Sequence, residues 1–574
     1  MLEILSSKGS FDLNPEQSID WEELFHATTS NGDLKSWRFS LPKSPHNMRM
    51  IDALVDIDAP RMAEVQIEVQ IVLFGQDWSE GPLWFIDEDA DNYEVSFAGK
   101  LGYLLQLIED RSLRDFSYPD PSPVDIYSHA EAVMLDPDSY DYVFAPVDLP
   151  SLNGEKFWPP QANAVVVNSS GNFDRFAEFF RTFEAEEWNE NETYISGALV
   201  RFNKLYYEAT AATNTGESPL SHPAKWNQST LGNRLIYVPI VPFVKVLSAL
   251  RIALAEVGVS LSGELVNNAE IQNLVFFNTQ CLNVVNDDGE IGTVNGSTPI
   301  SYANHVPDVP VVDVLRALGD WFCQRFDYRI NDATLLLTHR PDYLKRRVNT
   351  SLRDSLIRME VLHKEKRTYN LRYNYSQADE ALQDDSWNET LSGRDDEEGS
   401  VTVNSAFSSL PMRYGFREVD PNWTEYTGDT AMDANFPGEW WRPVSALPLN
   451  AEVPQQFLFY RGLHVYQNGS WVNDPELPQL SSDLNFTNTE NWQYTALWTG
   501  PNGLYEKWWR YWLSPLSLAK VIRLYLLVNG ADWRRDVLLN PQAIREWLFL
   551  FEKAEFSTKP RDTGVLIEVE AVRL

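Results

Sequence analysis

Cysteine is almost missing: Cys281 and Cys323 are the only two in 574 residues. Two thiols cannot build a disulfide framework for a chain of this size. Both sit among apolar neighbours, Thr279-Gln-Cys-Leu and Trp321-Phe-Cys, and read as small buried hydrophobes. Long apolar runs are missing too, and none approaches the roughly 20 residues of a membrane span. The opening Met1–Gln17 has neither the basic segment nor the apolar stretch of a signal peptide, so synthesis and folding in a cytoplasm are expected. Basic residues are scarce beside acidic ones, 47 Lys and Arg against 83 Asp and Glu, for a net charge of −36. Phosphate binding needs a basic surface, so nucleic acid is excluded as the main ligand. The acidity fits a high-salt setting, where repulsion is screened, or an ordinary acidic protein. The 8 histidines show neither HExxH nor HxH spacing, and no GxSxG elbow, Walker loop or GxGxxG follows a strand-like run. Asp87, Asp89 and Asp91 imitate a calcium loop, but its sixth position is Asn92 and its twelfth Ala98, where Gly and Glu are needed. A hairpin turn is expected there, and a solvated loop at Asp395-Asp-Glu-Glu. Acidic pairs are too common for any one to mark a glycosidase dyad. No catalytic residue, no metal site and no cofactor is expected, and the chain is read as a non-enzyme.

What is present is apolar and aromatic. The chain is 43% hydrophobic and 13% aromatic, with 20 Trp. That is enough to bury real cores, in about three to five domains, with amphipathic rings left over for interfaces or sugar stacking. Residues 1–120 read as β: Ala63–Leu73 alternates with Val65, Ile67, Val69 and Ile71 on one face, and Leu83–Ile86 and Tyr93–Phe97 flank an acidic turn as a hairpin. Leu101–Leu107 reads as a short helix. Residues 121–185 form a Pro- and Asp-rich connector. Residues 230–345 look α/β, with an amphipathic helix from Phe243 stopped by Gly258 and a second from Val311 to Phe326. A hairpin over Phe326–Leu337 follows. Residues 346–574 return to β at Thr368–Tyr375, Lys520–Val528, Glu546–Phe556 and Gly564–Val572, with an acidic loop at Asp384–Gly399 and a Trp/Pro-rich insertion at 437–500.

Residues 186–229 form an aromatic island. Trp188, Tyr194, Gly197, Val200, Leu205, Tyr206, Ala209, Pro219 and Trp226 stand in an order that resembles the small chitin-binding-type carbohydrate modules. The resemblance implies a β insertion whose Trp188, Tyr194, Tyr206, Tyr207 and Trp226 are candidate contacts for a glycan or a partner. In sugar-binding members an aromatic pair after the Y-x-A strand stacks on the sugar. Here Thr210–Gly216 carries none, which favours a structural or adhesive decoration.

Three further passages resemble, in their order, the tail hub (baseplate hub) proteins of Bacteroidota-type tailed phages and prophages. They are Trp37-Arg-Phe-Ser-Leu-Pro-Lys-Ser-Pro-His-Asn; the paired central helices, Pro242–Glu256 and Ala303–Leu318; and Gly503–Leu513 with Glu546–Ala554. The resemblance implies an α+β, mostly β, multidomain fold. Two tube-like β-barrel domains, 1–120 and 346–574, would share one topology, bracket the α/β middle and offer an acidic, polar lumen. It also implies a homotrimer at the end of the tail tube. Its partners would be the tail tube protein, tail-tip or spike proteins and the tape measure protein, with DNA only in transit. The expected location is the virion tail, assembled in the host cytoplasm. The alternative is a tail-tip receptor-binding or adhesion protein that recognises host surface glycans through the island.

Overall fold

The computed structural model describes residues 2–574 apart from 26–35, 52–65, 74, 100–103, 105–107, 109, 150–160, 168–172, 178, 184–185, 204, 229–232, 284–293, 295–298, 330–331, 364–367, 374–387, 392–399, 411, 416–439, 444–452, 466–475, 485–492, 530–531 and 561–563. The helix expected over Leu101–Leu107, apart from Leu104, lies outside these residues, as does the acidic loop apart from 388–391. The chain is mostly β, arranged in several sheets.

The first sheet is built by β1 (Leu2–Ser6), β2 (Gly9–Ser10), β4 (Ser36–Pro42), β5 (Gln66–Leu73), β6 (Gln76–Glu88) and β7 (Asn92–Ala98), in the order β2-β1-β5-β6-β7-β4. The period-2 pattern does what it predicts in β5: Val69, Ile71 and Leu73 are buried while Gln66 and Glu68 face outward. The β6–β7 hairpin closes on Asp89, whose carboxylate accepts from the backbone N–H of Asp91 (2.7 Å) and Asn92 (2.6 Å). These bonds lower its pKa, and the acidic turn is a backbone cap. Helix α1 (Pro45–Met50) follows β4, with Ser44 as N-cap accepting from Asn47 N–H at 3.1 Å. Asn47 is fully buried. Its Oδ1 accepts from Asp12 N–H at 2.7 Å, and its Nδ2 donates to the carbonyls of Asp12 and Pro42. The Leu-Pro-x-Ser-x-x-Asn run is therefore a lock between α1 and the loop after β2.

The second sheet takes β3 (Ile19–Leu24) from the start of the chain and β8 (Leu356–His363), β9 (Lys520–Asn529), β10 (Trp547–Thr558) and β11 (Gly564–Arg573) from its end, ordered β8-β9-β11-β10-β3. The β10–β11 pair is the antiparallel pair expected from the sequence. The two sheets face each other across one hydrophobic core. In it Trp78 stacks on Trp533 (centroids 6.2 Å, 11° between planes), and Trp21 lies 5.2 Å from Trp37.

Two separate β-barrels were expected, and here the structure differs. Among the described residues neither sheet closes, and each supplies the apolar partner that the other's half-buried face requires. Nor do they share one strand order. In the first sheet β1 and β4 flank the meander β5-β6-β7, whereas in the second β3 stands beside the hairpin β10–β11, followed by β9 and β8.

The middle of the chain has its own core. Helices α2 (Ile126–Leu135), α3 (Val246–Glu256), α4 (Val311–Phe322) and α5 (Arg510–Leu518) surround it. Helix α3 ends where Gly258 takes φ +77°. Helix α4 stops four residues earlier than its pattern suggests, because Cys323 adopts a left-handed conformation (φ +51°) and Gln324 opens the expected hairpin, Gln324–Arg329 with Thr334–His339. The second hairpin strand also pairs in parallel with Ser260–Gly263. Only glycine fits at 263: its φ is +132°, and a Cβ there would lie 2.2 Å from the Leu337 carbonyl oxygen. The stretch 437–500 is knitted into this middle. Its strand Phe457–Val465 pairs with Leu274–Phe276 and with Glu476–Ser481. Arg461, fully buried, ties it down by donating to Glu270 (3.0 Å) and to the Tyr494 carbonyl (2.7 Å).

Candidate functional site

The residues singled out in the sequence lie on a small module held on a stalk. Strand Phe179–Phe183 pairs antiparallel with Asn233–Tyr237, so the chain leaves and returns along one two-stranded ribbon. Between them, Glu186–Glu187, Leu199–Phe202, Leu205–Ala209 and Trp226–Gln228 form a four-stranded sheet. Its first pair is parallel and the others antiparallel. The module has a core of its own: Tyr194, Val200, Ala209 and Trp226, with Trp188 and Tyr207 packed at its rim. Gly197 sits at φ +92°, where its place in the module pattern requires freedom from a Cβ.

Four of the five candidate residues therefore share one side of the sheet, and they do not form an open platform. The Tyr194 ring is buried edge-on to Trp226 (5.6 Å), and its hydroxyl accepts from Asn189 N–H at 2.7 Å. Trp226 is buried, with its indole N–H donating to the Glu217 carbonyl at 3.1 Å. What remains half-open is a chain of edge-to-face rings: Trp188 on Phe202 (5.3 Å) and Phe202 on Tyr207 (6.4 Å). Tyr206 pairs in register with Arg201, on the opposite face. Arg201 is buried, 3.4 Å from Glu187. The segment Thr210–Gly216 is exposed apart from Thr213, whose N–H donates to the Tyr194 carbonyl and whose hydroxyl accepts from the Tyr194 N–H at 2.9 Å.

Glu217 was not picked out from the sequence, although Asn214-x-x-Glu217 has capping-box spacing. Its carboxylate accepts from Lys225 Nζ at 2.5 Å and from Asn214 N–H at 2.7 Å. Lys225 chiefly, and then Asn214, hold its pKa down to about 2. This clasp fixes the loop that carries Trp226 into the core. Phe202 was also missed, although it shares a strand face with Val200 two residues away.

In the middle core His305 and Cys323 are buried and Asp320 is half-buried. His305 is 2% exposed, with Nδ1 2.9 Å from Asn278 Nδ2, and burial lowers its pKa to about 3. Burial pushes the Cys323 thiol up and the Asp320 carboxyl up to about 7, the latter against the pull of Arg340 and Arg316. Among the described residues no group of three His, Cys, Asp or Glu is placed to hold a metal, and no helix is long and apolar enough to cross a membrane.

No family model matches the chain, and no curated protein matches it. Two solved structures to which it is similar are described as tail proteins. One is the 43 kDa tail protein of prophage MuSo2 from Shewanella oneidensis, with a TM-score of 0.30 and 7% identity, covering 100% of this chain and 95% of that one. The other is the tail protein from Neisseria meningitidis MC58, with a TM-score of 0.28 and 9% identity, covering 100% and 95%. TM-scores of this size assign no fold.

Proposed function

We propose that this chain is a virion structural protein, a tail hub that joins the tail tube to the tail tip as a closed trimer. The observation that carries the reading is where the three hub-like passages fall. The first is the Asn47 lock at the edge of the sandwich. The second is the α3–α4 pair at the heart of the middle core. The third runs into α5, whose neighbour Trp509 donates from its indole to the Asp320 carbonyl of α4 at 2.8 Å. All three build the frame, so the likeness they carry is one of architecture. Three copies meeting a sixfold tube must each present two tube-like elements. In this reading the outer faces of the two sheets serve, and their different strand order makes the match approximate. The tube, tip or spike and tape measure proteins are its neighbours, DNA passes through in transit, and the role is non-catalytic. Fold analogy sets this expectation and assembly must test it. Negative-stain images and light scattering of the purified chain should give threefold rings with the mass of three 65.8 kDa copies. A monomer at every concentration, or fibres, would reject the hub.

The stalked module favours a second reading, an adhesive tail-tip protein. A compact unit raised on a ribbon, with the Trp188–Phe202–Tyr207 rings half-open at one side, is placed to meet a surface. Retention of the chain on immobilised chitin or host glycans, abolished by Trp188→Ala, would favour it over the hub.

A further inference from the structure

We infer that β8 and the basic segment leading into it form one half of a head-to-tail contact with a second copy of this chain, whose acidic β6–β7 hairpin tip is the other half. The inference rests on the trimeric reading above. Between 345 and 358 stand five basic residues, Lys345, Arg346, Arg347, Arg353 and Arg358, against one acid, Asp354. Over the whole chain acids outnumber bases by 83 to 47, so the local reversal is sharp. All five bases are exposed. Arg545, also exposed, joins them: its backbone N–H donates to the Arg353 carbonyl at 3.1 Å. Lys345 pairs with Asp342 at 2.7 Å, Arg346 lies over the Tyr343 ring at 3.9 Å, and Arg358 pairs with Glu360. Arg347, Arg353 and Arg545 have no carboxylate partner among the described residues, although Asp354 and Glu546 adjoin them in sequence. Three guanidinium groups thus stand without a counter-ion in a chain with carboxylates to spare.

Two further features make the partner a protein. Val348, Ile357 and Val361 are 39%, 59% and 45% exposed among these bases. In addition, β8 pairs only with β9 among the described residues, which leaves its other edge open. A phosphate backbone uses neither aliphatic groups nor a strand edge, whereas a protein segment uses both. The patch cannot meet itself across a twofold axis, because arginine would face arginine. It needs a different, acidic patch on the next copy, and heterologous contacts of that kind close into rings. The β6–β7 tip answers in charge and in apolar character. Asp87, Glu88, Asp89 and Asp91 are all exposed there, beside Ile86 at 42%. Lys43 pairs with Glu88 at 2.7 Å and leaves the tip in excess of negative charge. The tip also stands at the opposite side of the sandwich from β8. Lys43 N–H donates to the Asp91 carbonyl at 2.8 Å, which holds the tip to the end of β4, and β4 meets β3 through Trp37 and Trp21. Strands β3 and β8 are the two edges of the second sheet, about 19 Å apart at about 4.8 Å per strand. One copy can therefore offer its tip to one neighbour and its β8 edge to the other.

The test is sedimentation velocity of the full chain and its charge-reversed variants, with circular dichroism to check that each is folded. Arg347→Glu/Arg353→Glu should weaken self-association about a hundredfold or more, and so should Asp87→Arg/Asp91→Arg, since each sets like charges face to face. The four changes together should restore the trimer, because the attraction is re-made with its signs exchanged. Lys520→Glu, which reverses an exposed charge elsewhere on the second sheet, should leave the trimer intact. A trimer that survives both double variants overturns the inference and leaves the hub reading standing. A wild-type chain that stays monomeric at every concentration rejects both. Loss of the trimer in one or both double variants without recovery in the combined variant shows that these two patches do not meet, and also overturns it. So does binding of a labelled single-stranded DNA that Arg347→Glu/Arg353→Glu abolishes while the trimer persists, which would assign the patch to nucleic acid.

Discussion

The sandwich and the stalked module are both β structures built around tryptophan, yet they are held in different ways. In the sandwich, Trp533 is fully buried among Phe25, Trp78, Phe551 and Phe556, rings drawn from both sheets. Apolar burial at roughly 25 cal/mol per Å² dominates there, and polar contacts are secondary. Among the described residues the module's apolar core is four side chains, Tyr194, Val200, Ala209 and Trp226. It relies on hydrogen bonds that pin its loops, namely Tyr194 to Asn189 and Thr213, and Glu217 to Lys225 and Asn214. Units this small bury too little surface to be secure alone. The polar clasps and the ribbon take the place of core area.

This contrast can be broken from either side. The largest effect belongs to Trp533→Ala, which empties the junction of the two sheets. It should cost about 3–5 kcal/mol, read as a shift of the main unfolding transition in urea. Trp226→Ala removes a comparable ring from a much smaller core. Its effect should stay local, with rapid proteolysis within 186–228 and a main transition that hardly moves. If Trp226→Ala shifts the main transition as Trp533→Ala does, the two units are not independent.

A smaller effect concerns acid. The Glu217 carboxyl ordinarily titrates near 4.5 and is held at about 2 in the fold. The unfolded chain therefore takes up this proton before the folded module does. The stabilisation is fully present above about 4.5 and drains away as pH falls towards 2. Hydrogen exchange of residues 205–228 should accelerate over that interval, and Glu217→Gln should flatten the response. Unchanged exchange in the native chain down to pH 3 would contradict it. The smallest effect is expected from replacing 186–228 with a short Gly/Ser bridge across the ribbon. Loop closure depends weakly on length, so the remainder should stay folded with its main transition in place. An insoluble product would make the module part of the frame.

Local order was readable in the sequence where periodicity is clean. The alternation in β5, the acidic β6–β7 turn, the Gly258 stop and the β10–β11 pair follow from side-chain spacing alone. The ribbon around the module was not read. Its strands are short, and only their mutual pairing gives them meaning. Long-range pairing left no periodic trace either: nothing in Ile19–Leu24 announces that it belongs beside Trp547–Thr558, or in Phe457–Val465 that it pairs with Leu274–Phe276. The end of α4 was misplaced because a left-handed Cys323 is set by its surroundings, not by propensity. Among the candidate site residues, Tyr206 and Tyr207 were grouped although adjacent strand residues point to opposite faces. That rule alone separates them. The burial of Tyr194 and Trp226 became visible only with the clasp at Glu217.

The placement of β3 also sets a clock. The indole of Trp21 reaches the hydroxyl of Thr558 at 2.8 Å, across 537 positions of sequence. At synthesis rates of about 5–20 residues per second, the early strands wait roughly half a minute to two minutes for their partners to leave the ribosome. Throughout that interval the apolar face of the first sheet, with Trp37, Trp78 and Phe85, has nothing to pack against. The period of greatest danger for this chain is thus its own translation. A chaperone that shields the first hundred residues should raise soluble yield more than any change to the finished fold.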